Sequence, residues 1–400
     1  MEKLITKFAL GLWGISSGNY SGITPIADQL YAIVDDKDQT DGFRFLSLEI
    51  DSISGKVTYA RMSEPKDVTK RRNNGVITDR DCEGVCFYPE KNTVFISGEA
   101  NQDILEYDLD GQPTGRELEV PECMSNTKIA SNLGFESLTY NDVQHLFWTT
   151  TESMLLADDM DIKNSEITFF SPLESISQTV CPVANEKEGE YMAKVNSSFE
   201  ISRSITINKQ EASSQESNVG INTKVIIPKG ENKVRLVSFD DNLKPVHSYI
   251  YRIDEPTRGN KKGSYVHGIS SMLALNNGKL LILEREGFCP KWKLGAFVNH
   301  KIYVVDFSQE QEVPLDTPMR EVTEEMIVKK TLLLEFKTQL TLFTRTLANY
   351  EGMCLGPKLS NGVQTLLLIS DSQNGMGYWF FHLKDYITVY QFKPDCGVLE

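Results

Sequence analysis

Hydrophobic positions in this chain come in short runs, and the runs come in pairs. A strand marked by a polar residue and glycine is followed by a turn of Pro, Asn, Asp or Gly. A more apolar strand then closes on an acid. Tyr20-Ser21-Gly22-Ile23 leads to Leu30–Asp36, and Cys82-Glu83-Gly84-Val85-Cys86-Phe87 leads to Thr93–Glu99. Phe135-Glu136-Ser137-Leu138 leads to His145–Glu152, Val266-His267-Gly268-Ile269 to Lys279–Glu284, and Tyr350-Glu351-Gly352-Met353 to Thr365–Asp371. Third strands are predicted over 43–51, 103–108, 234–240, 301–307 and 378–383, and fourth strands over 56–62, 116–120, 247–253, 331–336 and 387–392. Turns such as Asp108-Leu109-Asp110-Gly111 join the last two strands as hairpins. That turn lacks the later ligands of an EF-hand loop.

Four strands per unit, several units and almost no segment of helical period predict an all-β chain, a β-propeller of four-stranded blades. A blade cannot bury both faces alone, and radial packing against its neighbours solves that. Five repeats are clear. The step from Glu136 to His267 is too long for one plain blade, so residues 153–233 are an insertion or a divergent sixth blade, with 166–170, 191–195 and 199–207 as its strands. The whole of 1–400 is otherwise expected to be a single propeller domain. Residues 4–12 are expected to supply an outer strand to the last blade, closing the ring. Residues 318–330 are the best helix candidate.

Charge adds to this picture. Lys and Arg total 41 against 56 Asp and Glu, a formal net charge of −15. That balance argues against nucleic acid and against an anionic membrane surface. No apolar run is long enough for a transmembrane helix. The N-terminus is not a clear signal peptide: its apolar run, 8–15, is short and broken by glycine. The seven cysteines form no C-x-x-C and are expected as free, mostly buried thiols.

In a propeller the first strand of each blade lines the central channel. The first motif position holds Ser21, Glu83, Glu136, His267 and Glu351, so three carboxylates and a histidine are expected to converge there. Asp35, Asp36, Glu99, Glu152, Glu284 and Asp371 close the second strands and form another acidic set near the channel mouth. Like charges in a ring need compensation. A hard cation such as Ca²⁺, carboxyls that keep a proton, or water and backbone N–H groups would each serve. Asn19, Asn132 and Asn349, just before the motif, offer neutral oxygens or ordinary turn chemistry. Lys70-Arg71-Arg72, Arg80, Arg285, Lys291 and Lys293 are the cations nearest the motifs, as anion holders or as a solvated counter-charge. No P-loop, G-x-G-x-x-G, H-E-x-x-H or nucleophile elbow is present. Cys86 and Cys354 share one repeat position and read as core filler.

The repeat, with 268–275, 280–286, Gly134-Phe135-Glu136-Ser137-Leu138 and 350–359 before 366–371, resembles the phytase-like propeller family, "esterase-like activity of phytase". The resemblance covers about 14–395 apart from 153–233, and Ser137 stands where that family usually has Gly. It implies hydrolysis of a phosphoester or related ester, calcium, and a periplasmic or extracellular location. Propeller lactonases, which place a metal on channel carboxylates, are the second resemblance. On the calcium-dependent phosphoester reading Glu83, Glu136 and Glu351 hold the metal, assisted by Glu99, Glu152 and Asp371. Arg80, Arg285 or Lys291 holds a small anionic or ester ligand. Glu83, Glu136, His267 and Glu351 are the catalytic candidates. The monomer is the expected state, and a non-catalytic binding propeller is the alternative, since no nucleophile–base pair is visible.

Overall fold

The computed structural model describes residues 3–37, 40–68, 80–124, 134–153, 190–191, 205–206, 232–257, 263–378, 381–392 and 398. The first described strand is β1 (Lys3–Ala9), which pairs with Tyr386–Gln391. The first blade is β2 (Tyr20–Ala27), β3 (Leu30–Lys37), β4 (Thr40–Ile50) and β5 (Val57–Met62). The second is β6 (Cys82–Tyr88), β7 (Thr93–Gly98), β8 (Ile104–Asp108) and β9 (Pro113–Glu117). The third is β10 (Phe135–Asn141), β11 (Leu146–Thr151), β12 (Lys233–Phe239) and β13 (Pro245–Arg252). The fourth is β14 (Gly263–Ala274), β15 (Leu280–Pro290), β16 (Phe297–Val305) and β17 (Lys330–Gln339). The fifth is β18 (Asn349–Lys358), β19 (Gln364–Asp371), β20 (Tyr386–Gln391) and β1. Among the described residues the fold is therefore a five-bladed β-propeller of four-stranded antiparallel sheets.

Both faces of each sheet are covered by neighbours, as the apolar second strands demand. Ile33, Leu46, Leu367 and Val389 pack between blades five and one. Val34, Phe43, Val85 and Ile96 fill the space between one and two. Phe95, Phe135, Phe147 and Phe239 join two to three. Trp148, Tyr251, Met272 and Ile282 join three to four, and Leu283, Ile302, Tyr350 and Leu368 join four to five. Every adjacent pair of blades thus shares an apolar cluster, which is the packing of a closed ring.

The described strands account for five blades, and two expectations are corrected. The long step after Glu136 is one blade interrupted between its second and third strands: Trp148 of β11 pairs with Ser238 of β12. The flanking strands complete blade three, so they leave no need for a sixth. The chain divides into two units, 1–162 with 229–400, and 163–228. In the second unit Glu190–Tyr191 pairs with Ile205–Thr206. The remaining strand candidates there lie outside the described residues.

Residues 378–383 are not the third strand of blade five. Phe381–Leu383 instead pairs with Thr346–Leu347 and Gly377–Tyr378 in a small side sheet, and β20 takes the third place. The fourth place is free for β1, with Lys3 opposite Gln391 and Ala9 opposite Tyr386. The helix candidate is two 3₁₀ turns, Met319–Glu321 and Glu324–Met326. Pro318 before the first turn and the β-branched Val322-Thr323 between them suit a broken path better than a continuous helix.

Candidate functional site

Each first strand carries a register irregularity at the motif. It falls between Tyr20 and Ile23, Cys82 and Val85, Phe135 and Ser137, Ile269 and Ser271, and Tyr350 and Gly352. A bulge re-aims the side chain beside it. The inner level of the channel is therefore Ser21, Glu83, Glu136, Ser270 and Glu351. In blade four the register places Ser270, not His267, at this position. His267 lies three residues earlier, opposite Glu286, with its ring 6.3 Å from that of Tyr265. Burial lowers its pKa. Ser270 is fully buried and donates to the Tyr350 carbonyl at 3.1 Å.

The residue after the bulge is where neighbouring first strands touch. A Cβ on Gly84 would lie 2.7 Å from the Leu138 nitrogen, and one on Gly352 would lie 2.3 Å from the Ser21 carbonyl oxygen. Glycine there sets how closely the blades approach, and hence how tightly the acids are gathered.

The next level outward also follows from register. Asn349 pairs with Asp371 and Gly268 with Arg285. Backbone hydrogen bonds join Asp36 to Asn19, Glu99 to Asp81 and Glu152 to Gly134 at the same place in the other blades. Asp36, Glu99, Glu152, Arg285 and Asp371 are therefore equivalent, and four of the five are acids. Glu284, expected in this set, is displaced by one residue. Its carboxylate accepts from Tyr251 Oη at 2.5 Å and from Lys330 Nζ at 2.5 Å, away from the ring.

Arg285 is buried among the acids. Its Nη2 lies 2.8 Å from Glu152 Oε1 and 3.7 Å from Glu136 Oε1, and Nη1 pairs with Glu351. Asn349 Nδ2 donates to Glu351 Oε1 at 2.8 Å. These carboxylates, with Glu83, hold the guanidinium firmly protonated against the cost of burial.

One guanidinium does not balance the whole set. Ligand atoms of Asp81, Glu83 and Glu99 lie within 4.8 Å of one another, as do those of Glu99, Glu136 and Glu152. Two like charges at that separation repel by about 3–4 kcal/mol at an effective dielectric of roughly 20. Burial, with Glu136, Asp81 and Glu99 as neighbours, pushes the Glu83 carboxyl well up. Burial and the nearby Glu152 push Glu136 up, although Arg285 opposes them. Burial and Asp81 raise Glu99 to about 8, despite the Gly134 N–H donating to it at 2.9 Å. Across the channel burial, with Asp385 and Asp35 adding to it, raises Asp371 to about 8, and burial raises Asp385 to about 6.

The donor set suits a hard cation, because it offers several carboxylate oxygens and no thiol or imidazole. It fits on the blade-two side, around Asp81, Glu83 and Glu99, better than beside Arg285. Neither close group includes Glu351 or Asp371.

The other predicted cations sit apart from this centre. Arg80 is buried in blade two, where it donates to Tyr107 Oη at 3.0 Å and to the carbonyls of Ile96 at 3.2 Å and Asp103 at 3.0 Å. Lys291 is exposed on the turn between β15 and β16. Lys70-Arg71-Arg72 and Asn132 lie outside the described residues. Cys82, Cys86, Cys289 and Cys354 are free thiols, and burial raises the thiols of Cys86 and Cys354. Cys181 and Cys396 lie outside the described residues. His300 is buried, held neutral with a pKa lowered to about 3, and accepts the Tyr350 N–H at 2.9 Å.

Asp81 is the site residue that motif reading missed. It stands two residues before Glu83, as Asn19 and Asn349 stand before Ser21 and Glu351, and that spacing was the available signal. Its positive φ of 52° turns the chain sharply as it enters β6. Asp41 was missed too. It accepts from the backbone N–H groups of Arg80, Asp81 and Cys82 at 2.5, 3.0 and 3.0 Å, and so fixes that entry from blade one.

The phytase-like family model, "esterase-like activity of phytase", matches residues 15–210 and 193–373. The chain belongs to that family. No curated protein matches its sequence. Among solved structures, the extracellular domain of a one-component system from B. thetaiotaomicron is 10% identical with a TM-score of 0.28, over 97% of this chain and 40% of that one. The chain thus spans about two fifths of that structure. Drosophila Semaphorin 1b, extracellular domains 1–2, is also 10% identical with a TM-score of 0.28, over 98% of this chain and 80% of that one. Neither likeness carries functional weight. No helix among the described residues is long and apolar enough to cross a membrane.

Proposed function

We propose that this phytase-like propeller holds a hard divalent cation, calcium in the first instance, at Asp81, Glu83 and Glu99, and hydrolyses a small anionic ester there. The observation that carries this reading is the gathering of those three carboxylates, with the Glu83 and Glu99 carboxyls driven upward. A bound divalent cation would polarise an ester or phosphoester oxygen and lower the pKa of a bound water. Within the chain, Glu136 is the nearest candidate to take and return a proton, because its carboxyl is raised and lies between the acid group and Arg285. Arg285, Glu152 and Glu351 are positioning residues on this reading. The guanidinium is engaged by carboxylates, so ligand anions are met through the cation. Export to the periplasm or outside the cell and a monomeric state accompany the proposal.

The test is metal content and cation titration of the wild type and of Glu83→Gln and Glu99→Gln, with hydrolysis of a phosphomonoester panel with and without Ca²⁺. Cation binding lost in both variants, with turnover that depends on Ca²⁺, supports the proposal. No cation binding and no turnover overturns it. Turnover of lactones alone selects a metal-dependent lactonase. A second reading, a non-catalytic binding propeller, is favoured by the self-compensated Arg285 cluster. It predicts cation or ligand binding without turnover.

A further inference from the structure

Blade four is taller than the others on the side where Arg285 lies. Its first two strands stay paired for five residues beyond the Gly268–Arg285 pair, to Gly263 opposite Pro290. At about 3.3 Å per residue the tip stands about 16 Å beyond the level of Arg285. Two turns meet at this tip, 290–296 and 340–344. They are tied by Gly295 N–H to the Leu340 carbonyl at 3.1 Å and Leu340 N–H to the Ala296 carbonyl at 2.8 Å. Within the turns Lys293 N–H donates to the Pro290 carbonyl at 2.8 Å, and Thr341 N–H to the Thr344 carbonyl at 2.8 Å. Ala296 and Leu340 are buried beneath them.

What these ordered turns present is apolar. Trp292 is 85% exposed, Leu294 48%, Leu342 70% and Phe343 95%. Large apolar side chains held outward on hydrogen-bonded turns are not the scattered exposures of an ordinary surface. The charge of the tip opposes that of the protein. Residues 287–298 and 336–350 contain Lys291, Lys293, Lys337 and Arg345 and no Asp or Glu, in a chain of net charge −15. Lys337 lies 4.1 Å over the Phe297 ring. Glu335, two residues below Lys337, is bonded by the Asn299 amide at 2.9 Å.

From this tip we infer that blade four docks the protein onto an anionic lipid surface, with Trp292, Leu294, Leu342 and Phe343 entering the interface and the lysines and arginine meeting lipid phosphates. The alternation Lys291-Trp292-Lys293-Leu294 places an ammonium beside each apolar group, so the stems share the interface while the charges stay with the headgroups. A convex, narrow tip suits a fluid interface, which closes around a projecting side chain. The overall negative charge then holds the rest of the ring off the surface. Docked this way, the acidic channel faces the surface from about 16 Å.

The test uses the full chain and vesicles of phosphatidylcholine with or without roughly one third phosphatidylglycerol. Co-sedimentation with the anionic vesicles at low salt is expected, with loss at high salt and a blue shift of Trp292 fluorescence. Trp292→Ser/Phe343→Ser and Lys291→Glu/Lys293→Glu should each weaken binding about tenfold or more. Circular dichroism and melting of the variants should stay close to the wild type, since Lys291, Trp292 and Phe343 are exposed and Lys293 is half-buried. No retention on anionic vesicles overturns the inference, as does equal retention on neutral ones or indifference to both variant pairs. Concentration-dependent self-association abolished by either pair also overturns it, and makes the tip an interface between copies.

Discussion

Arg285 and Glu152 hold the same register position in adjacent blades, carry opposite charge, and meet at 2.8 Å. The ring thus contains its own partial counter-ion. Four blades supply an acid at that position, and blade four supplies a base that pairs with Glu136, Glu152 and Glu351.

Removing that base leaves Glu136, Glu152 and Glu351 buried without their shared cation. Arg285→Met is expected to cost about 3–5 kcal/mol at neutral pH, the usual penalty for an orphaned buried charge. Chemical denaturation at pH 7 measures it. The loss should shrink on acidification, because the orphaned carboxylates then take up protons. A loss of similar size at pH 5 would sink the electrostatic explanation and point to lost packing.

The raised carboxyls make a second prediction, for the cation-free protein. Glu99 and Asp371 reach about 8, and Glu83 and Glu136 are also raised. A folded-state pKa above the unfolded value of roughly 4 means that the folded state binds more protons. Stability is then greatest in mild acid and falls as pH rises from about 4 through about 8. Melting temperature with a chelator present should decline across that window. Added Ca²⁺ should flatten the slope if the cation takes the place of the protons. A melting temperature that climbs from pH 5 to pH 8 in chelator contradicts the assignment.

Glu83→Gln should separate stability from binding. It keeps the volume, removes a charge that is repelled by Glu136, Asp81 and Glu99, and leaves an amide beside Ser21. In chelator at pH 8 the variant is expected to melt about 1–2 °C higher than the wild type, since a stabilisation of about 1 kcal/mol corresponds to roughly 1 °C at this size. Cation affinity should fall at the same time by about tenfold or more, as a charged ligand is lost. Calorimetric melting and cation titration on one preparation read both quantities.

Close approach of the inner strands is testable without touching charge. Gly352→Ala places a methyl against the Ser21 carbonyl, a backbone atom that cannot rotate away. About 1–3 kcal/mol of destabilisation is expected. Gly11→Ala, where an added Cβ meets nothing within 4 Å, serves as the control and should change little. Equal melting temperatures for the two variants would remove the argument that blade contact sets the channel radius.

Much of the fold was readable from the repeat because strand periodicity and turn residues are local. The strands of blades one, two and four fall close to where their apolar alternation put them, and β1 closes the ring as expected. Blade five misled because 378–383 alternates like a strand, and Phe381–Leu383 does pair, but with Thr346–Leu347 outside the blade. The site was legible in residue type and less so in register. Val266-His267-Gly268 imitates the acid–glycine motif, yet the bulge lies three residues later at Ser270. That slip also hid the equivalence of Arg285 with the acids, since a bulge shifts pairing by one residue and leaves no mark in composition.

The pairing of Lys3 with Gln391 has a kinetic consequence. β1 is hydrogen-bonded to β20, at the far end of the propeller sequence, so blade five cannot form until all five blades have been synthesised. Until then β1 is an exposed edge with nothing to pair, and the other blades must wait in an open arc. Ring closure is therefore a late event with a very long loop to bridge, and the open arc is most exposed to misassembly just before it closes.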